Sequence, residues 1–425
     1  MTMHGSVPST LAPENWPFSL EWLPQPAYMV GGAVRDAILG RTREYLDLDF
    51  VIPSDAVKVA RAIARHYKAG FVLLDPERKI ARVVFPHATA DFAQQEGDSL
   101  ETDLHRRDFT VNAIAYNPHT QEFIDPLQGY ADIKQRLLRM VSLANLEDDP
   151  LRLMRAYRQA AQLGFTIEPV TQTVIRSLAS HITQVAAERV RVEIGYLLAS
   201  PQGIPWLVHA GEDGLIAPFF KNATRESFKK LAAVDTVATL LVEIWPQLGV
   251  ELEQYVRDTV KITWLGIAKL ACLVHPNPEV AETELQELTY SRAEIRAVTT
   301  ALRLFPQLKL ANMSLREQYF LFQEAGIVFG AIVMLALVDD TLVEAMSGNK
   351  SLRVYAPLIR RYLNPDDLVA HPTQLVSGKE LMIALNIQAS PLVGELLTEI
   401  AVAQAEGKIS TPAEATEFAR QLVEG

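Results

Sequence analysis

Residues 45–52 read Tyr45-Leu46-Asp47-Leu48-Asp49-Phe50-Val51-Ile52, a strand-length run in which apolar and acidic side chains alternate. Successive side chains of a strand point to opposite faces, so Leu46, Leu48 and Phe50 share one face while Asp47 and Asp49 share the other. Upstream, Tyr28–Val30 is a short apolar stretch running into Gly31-Gly32, then a helical segment Ala33–Leu39 closed by Gly40. Downstream, Ser54 has the character of an N-cap for an amphipathic helix through Tyr67. Phe71–Leu74, Ile80–Phe85 and Thr89–Phe92 are strand-like, and Leu100–Arg107 and Val111–Ala115 carry a helix pattern or its borders. The expectation is an α+β head, a small mixed sheet with helices.

From Asp149 onward helical periodicity dominates, punctuated by turn signals such as Pro201-Gln-Gly, His275-Pro-Asn-Pro and Asn364-Pro-Asp-Asp. The chain is therefore divided into an N-terminal extension (1–26), a catalytic head (27–145), a helical neck (146–210) and a helical body and tail (211–425). Its 425 residues, 49% apolar and 21% charged, are enough for two to four packed units with substantial cores. The single cysteine, Cys272, excludes an internal disulfide framework and fits a reducing cytoplasm. Residues 1–26 lack the charged start and long apolar run of a secretory signal. The longest apolar run, Ala325–Val338, is 14 residues, short of the roughly 20 that span a bilayer, so no membrane partner is expected. The oligomeric state is left open.

The aspartate pair carries the chemistry. Two adjacent carboxylates repel each other unless a cation lies between them. Mg²⁺ suits them, because it takes hard oxygen ligands, keeps some waters and shares substrate phosphates. Two such ions can activate an attacking hydroxyl and stabilise a leaving pyrophosphate. A lone D-x-D is more often a solvated strand edge; the preceding Gly31-Gly32-Ala33-Val34-Arg35-Asp36 changes that balance. Paired glycines before a helix let backbone N–H groups approach phosphates, and Arg35 can add a bidentate contact. Asp91 is a candidate third metal carboxylate or, equally, a surface strand aspartate.

These residues and those that follow resemble a known family. Tyr28-Met-Val-Gly-Gly-Ala-Val-Arg-Asp36 with Asp47-Leu-Asp49 is similar to the first motif of class II tRNA nucleotidyltransferases, the CCA-adding enzymes and their bacterial poly(A) polymerase relatives. Arg106-Arg-Asp-Phe-Thr-Val-Asn112, Asp125-Pro-Leu-Gln-Gly-Tyr-Ala-Asp132, Asp148-Asp-Pro-Leu-Arg-Leu-Met-Arg155 and Glu188-Arg-Val-Arg-Val-Glu193 follow in family order. The resemblance implies that Asp47 and Asp49 bind two catalytic Mg²⁺ ions and that Gly31, Gly32 and Arg35 hold the triphosphate. It also implies that Arg107, Asp108 and Asn112 contact the ribose and that Asp125–Asp132 forms a flexible connection. Asp149 and Arg152 would read the incoming base, with Arg155 and Arg158 completing the nucleotide site. Pro150 suits the first helical position after an Asp149 cap, and residues three apart share a helix face. A carboxylate beside a guanidinium matches the edges of cytosine and adenine and mismatches uracil and guanine. The chain departs from the family at Asp148, where Glu is usual, and at Gln159, where Phe is usual.

The substrates so implied are CTP and/or ATP, and the partner is the acceptor end of tRNA. Full CCA-adding members carry a flexible loop rich in Arg, Gly and Tyr between the first two motifs. Here the stretch from Asp91 to Arg107 is short and acidic, which favours addition of the two cytidines over A-addition or full CCA-addition. A net charge of −11 disfavours a poly(A) polymerase acting on RNA without sequence preference. Charge is nonetheless uneven: Lys134–Arg158 holds six basic residues against three acidic, and Ser377–Gly425 three against seven. A catalytically silent RNA-binding protein is the remaining alternative. Pro276 stands where some relatives place the Asp of a hydrolytic His-Asp dyad, so His275 is expected as a helix-end residue. Glu380 replaces a family aspartate in Ser377-Gly-Lys-Glu-Leu-Met.

Overall fold

The computed structural model describes residues 10–41, 45–257, 260–310, 313–343 and 350–424. They fall into two compact units, Met1–Leu215 and Ile216–Gly425.

The first unit is built on a seven-stranded sheet. Its strands are β1 (Tyr28–Val30), β2 (Leu46–Ile52), β3 (Gly70–Asp75), β4 (Ile80–Phe85), β5 (Ala88–Gln94), β6 (Ala115–Asn117) and β7 (Glu122–Ile124), in the order β3-β4-β5-β2-β1-β6-β7. Only β2 and β5 run parallel, Asp47 opposite Thr89 and Asp49 opposite Asp91; the other pairings are antiparallel. A parallel pair needs a crossover, and it begins with helix α2 (Ala56–Tyr67). That helix is capped by Asp55, whose carboxylate accepts from the Lys58 backbone N–H, so the expected Ser54 cap lies one residue early. Between β1 and β2 runs the short helix α1 (Gly32–Ile38).

Alternation in β2 does what period-two patterning requires. Leu48 and Phe50 are fully buried, whereas Asp47 is exposed. Phe50 stacks on Phe92 at 5.3 Å between ring centroids, and Trp16 and Phe18 pack edge-on against Phe50. The segment before residue 27, set apart as an extension, thus supplies part of the head's core: Leu11, Trp16, Phe18 and Leu23 are all buried. Burying a side chain of that size stabilises by about 1.5–3 kcal/mol, which explains why a proline-rich stretch is held against the sheet.

Helices α3 (Leu100–His105), α4 (Gly129–Gln135) and α5 (Leu143–Asp148) lead to α6 (Leu151–Leu163), then α7 (Pro169–Leu178), α8 (Ala187–Ala199) and α9 (Gly203–Glu212). The expected helix border at Val111–Ala115 is a single 3₁₀ turn, Thr110–Asn112, running into β6. Asp125–Asp132, expected as a flexible connection, is tied down. The Asp125 carboxylate accepts from the backbone N–H of Gly129 and Tyr130, and the buried Asp132 accepts from Thr110 Oγ1 and pairs with Arg139. Gly129 is required there, since a Cβ would sit 2.2 Å from the Thr110 carbonyl oxygen. The neck is helical apart from one two-residue ladder, Leu137–Leu138 beside Thr166–Ile167.

The second unit is helical, with one small hairpin, Tyr255–Arg257 and Val260–Thr263. Helices Arg225–Ile244, Trp264–Ala271, Arg292–Leu304 and Phe329–Val343 enclose an apolar core, and Gly378–Leu385, Pro391–Ala405 and Pro412–Glu424 gather around Leu381, Leu396 and Ile400. Leu315–Asp340 is long and apolar enough to cross a membrane by length and composition, yet 72% of its apolar window is buried inside the fold, as expected of a core helix. His275 follows the end of its helix, where its Nδ1 accepts from the Asn277 backbone N–H. Glu380 closes a capping box with Ser377.

Candidate active site

The site starts at the junction of β1 and α1. Gly31 has φ of 71°, and a Cβ there would meet Arg107 Nη1 at 3.3 Å and Asp49 Oδ2 at 3.6 Å. A residue without a side chain is therefore what brings a carboxylate and a guanidinium together over a backbone turn. Asp47 and Asp49 project from the same face of β2, and Thr89 Oγ1 donates to Asp47 Oδ1 at 2.7 Å. Burial, then the charges of Asp47 and Asp91, push the Asp49 carboxyl up to about 7, partly offset by Arg107 and Arg82. The strand has placed an anion where its own surroundings disfavour one, and a bound cation would relieve that.

Asp91 is engaged elsewhere: both its oxygens take the Arg82 fork, at 2.6 and 2.8 Å. That ion pair favours the structural reading of Asp91 over the metal-ligand reading. Among the described residues no cluster of three or more His, Cys, Asp or Glu side chains is arranged to hold a metal. A site of two carboxylates completed by water and substrate phosphate oxygens still suits Mg²⁺, which seldom takes an all-protein cage.

All of the predicted site residues except Asp149 and Arg152 line one cleft of about 510 Å³. Asp149 and Arg152 line an adjoining cavity of about 390 Å³ that shares Arg107 as a wall.

The wall of the cleft holds a buried polar network centred on Asp108. Its Oδ1 accepts from the Phe109 backbone N–H and Asn112 Nδ2; its Oδ2 accepts from Arg155 Nε and Nη2 and from Gln159 Nε2. Despite burial, Arg155 and these donors hold the Asp108 carboxyl well below the usual carboxylate range. Both Asp108 oxygens thus accept hydrogen bonds within the protein, which ties it to Asn112, Arg155 and Gln159. Arg35 is likewise committed, to Asp36 Oδ1 and, through Nη1 at 2.6 Å, to Asn112 Oδ1. It nevertheless lines the cleft beside Gly31, Gly32 and Asp47, where the triphosphate is expected. Arg158 pairs with Glu193 and lies over the Tyr196 ring. Arg107 pairs with Asp103, while its Nε is buried without a partner among the described residues, a donor suited to a substrate oxygen.

The two base-reading candidates are held apart from each other. Asp149 Oδ1 accepts from the Leu151 backbone N–H, but α6 begins at Leu151 with Pro150 at its N-cap, one residue later than the expected Asp149 cap; Asp149 Oδ2 pairs with Arg189 at 3.1 Å. Arg152 Nη1 donates to the carbonyls of Arg106 and Asn145. Burial lowers the Arg152 pKa, partly compensated by Asp108 and Asp149. The rigid element here is Asn145, whose Nδ2 donates to the carbonyls of His105 and Arg107. Asn145, Gln159 and Arg189 are not among the expected site residues; Arg189, within Glu188-Arg-Val-Arg, and Gln159, a departure from the family's Phe, carry motif signals that could flag them, and Asn145 carries none.

The chain matches three family descriptions in order: the poly(A) polymerase head domain over residues 27–139, a probable RNA- and SrmB-binding site of poly(A) polymerase over 164–226, and a putative tRNA nucleotidyltransferase domain 2 over 261–419. A CC-adding tRNA nucleotidyltransferase of Synechocystis sp. is 50% identical over 409 residues, 96% of each chain. The CC-adding enzyme of Geobacter sulfurreducens (92% of this chain, 91% of that one) and the A-adding enzyme of Deinococcus radiodurans (94% and 96%) are each 31% identical. Among solved structures, the Thermotoga maritima CCA-adding enzyme complexed with tRNA superposes with a TM-score of 0.67 at 20% identity, covering 94% of this chain and 91% of that one, a likeness of fold. The chain belongs to the CCA-adding tRNA nucleotidyltransferase family and is a tRNA nucleotidyltransferase.

Proposed function

We propose that the chain adds the two cytidines of the tRNA 3′ terminus in the cytoplasm, using CTP and Mg²⁺, and leaves the terminal adenosine to another enzyme. The observation that carries this reading is the direct closure between the first two motifs. β5 ends at Gln94 and α3 begins at Leu100, so five residues, 95–99, replace a long loop. That closure is braced by acidic side chains: Glu96 pairs with Arg106, and Asp103 accepts from the Glu96 backbone N–H while pairing with Arg107. The 50% identity to the Synechocystis CC-adding enzyme supports the same product.

In this reading Asp47 and Asp49 hold the metal ions, which supply a Lewis acid for the 3′-hydroxyl and charge neutralisation for departing pyrophosphate. Gly31 and Gly32 leave room for the triphosphate beside α1, and Arg107, whose Nη1 lies next to Gly31, donates to one of its oxygens. Asp108, held by Arg155, fixes Asn112 at the ribose. Asp149 and Arg152 present an acceptor and a donor to the base edge, each braced by its own partner so that neither must be ordered when CTP arrives.

Three tRNA transcripts, ending before CCA, after C and after CC, test the product when incubated with CTP, ATP or both. The expected products gain two, one and no cytidines and never an adenosine. Adenosine on the CC-ending transcript would establish A- or CCA-addition instead. Repeated adenosine addition would indicate a poly(A) polymerase, and no incorporation at all a silent RNA-binding protein.

A further inference from the structure

Gln159 is 3% exposed, midway along α6, where the family resemblance expects an apolar Phe. A primary amide without partners in such a place costs free energy, so its retention calls for a use of both ends. Both ends are used. Gln159 Oε1 accepts from Asn112 Nδ2 at 2.9 Å, and Gln159 Nε2 donates to Asp108 Oδ2 at 3.1 Å. Asn112 Nδ2 also donates to Asp108 Oδ1, so both protons of the Asn112 amide are committed within the protein. Its oxygen is turned the other way and takes Arg35 Nη1.

An amide oxygen has two acceptor sites. Among the described residues Asn112 Oδ1 takes one donor, Arg35, and Asn112 lines the same cleft as Asp47 and Asp49. The orientation imposed by Asp108 and Gln159 therefore leaves Asn112 with a spare acceptor site, and no spare donor, in the cleft that would hold the nucleotide. An acceptor recognises a hydroxyl and gains nothing from a carbon-bound hydrogen. We propose that Gln159 is a positioning residue for sugar selection, orienting Asn112 so that its free acceptor site receives the 2′-hydroxyl of a ribonucleoside triphosphate. This rests on the ribose reading of Asn112 given above.

The test is the ratio of kcat/KM for CTP to that for 2′-deoxy-CTP on a transcript ending before CCA. It is measured for the wild type, Gln159→Met, Gln159→Glu and Asn112→Ala, with melting temperatures alongside. Gln159→Met keeps the volume and removes both hydrogen bonds. The ratio is expected to fall about tenfold, the scale of one buried hydrogen bond. The loss should lie in CTP, with 2′-deoxy-CTP changed less than about twofold, because only the ribonucleotide uses the oriented acceptor.

Gln159→Glu supplies a second readout should the Met variant fail to fold. The protonated acid can still accept from Asn112 and donate to Asp108, whereas the ionised form repels Asp108. The charged groups around this position are Asp108 and Arg155 on one side and Arg35 with Asp36 on the other. The Glu variant should regain sugar discrimination as pH falls, while the wild-type ratio stays flat; dividing the two nucleotides cancels any ionisation they share, such as that of Asp49.

An unchanged ratio in Gln159→Met, or equal losses for both nucleotides in Gln159→Met and at every pH in Gln159→Glu, would overturn the proposal. If Asn112→Ala abolishes discrimination and Gln159→Met does not, the assignment of Gln159 fails alone. Should Asn112→Ala leave discrimination intact, the ribose reading fails and takes this inference with it.

Discussion

The first unit gathers buried charge around one cleft, whereas the few charges the second unit buries, such as Lys269, Glu284 and Glu294, lie on separate helices of an apolar core. Around the cleft, Arg35 with Asp36, Asp108 with Arg155, and Arg158 with Glu193 are ion pairs with at least one member withdrawn from water. Such pairs add little net stability, because desolvation offsets attraction, but breaking one is expensive. What they gain is fixed geometry for groups that must meet a nucleotide. In the second unit helices begin at Thr224, Ser291, Ser314 and Ser377 with capping boxes, and the interior is chiefly Leu, Ile, Val and Ala. Lys230, Lys309 and Asp339 form an ion cluster at a partly exposed site, and the buried Lys269 pairs with the half-exposed Asp235. Cys272 is buried and its thiol is pushed up to about 12, so it packs as a small apolar group. One region spends stability on positioning; the other accumulates it.

The sharpest way to break this contrast is Asp108→Asn. The change strands Arg155 and removes an acceptor for Gln159 and Asn112, so a loss of about 3–5 kcal/mol is expected, seen as a melting temperature lower by roughly 10 °C. The sign of its pH dependence follows from the depressed carboxyl. Asp108 stabilises the fold above the unfolded carboxylate range and loses that contribution as pH falls below about 4, so variant and wild type should converge in acid. Divergence there would contradict the network.

Asp49 should behave in the opposite sense. With its folded pKa raised to about 7, the native metal-free protein holds a proton that the unfolded chain has released, so stability declines as pH rises from about 4 to 7. Asp49→Asn removes the penalty and should melt a few degrees higher than wild type at pH 8 without metal. Mg²⁺ should raise the wild-type melting temperature and leave the variant nearly unmoved. A variant less stable than wild type under metal-free conditions would oppose the account. Glu380→Ala is the smallest effect: loss of one capping-box contact costs about 1 kcal/mol or less, equally with and without Mg²⁺. A metal-dependent shift there would blur the division between the two regions.

What could be read ahead of the structure was local or ordered along the chain. Leu46–Ile52 announces its two faces within seven residues, and the motifs from Gly31 to Glu193 assign a family by their succession. The polar network could not be read, because its partners lie 47 and 51 residues apart: Asp108 meets Arg155 and Gln159 only after β6, β7 and α4 have been folded between them. The tie between Arg35 and Asn112 was hidden for the same reason, the two being 77 residues apart. The short segment at 95–99 was visible as an acidic run, yet its pairing with Arg106 and Arg107 depends on how α3 turns back. Trp16 and Phe18 lay in a stretch without periodicity, and only the Phe50 and Phe92 rings they cover gave them a place.

Everything returns to the two aspartates of β2. The most direct measurement is incorporation of labelled CTP into a tRNA transcript ending before CCA by Asp47→Ala, with Mg²⁺ titrated and transcript binding measured in parallel. The account predicts a loss of about a thousandfold or more in turnover, the scale of several kcal/mol of transition-state stabilisation, with transcript binding largely retained at every Mg²⁺ concentration. Incorporation within tenfold of wild type would contradict it.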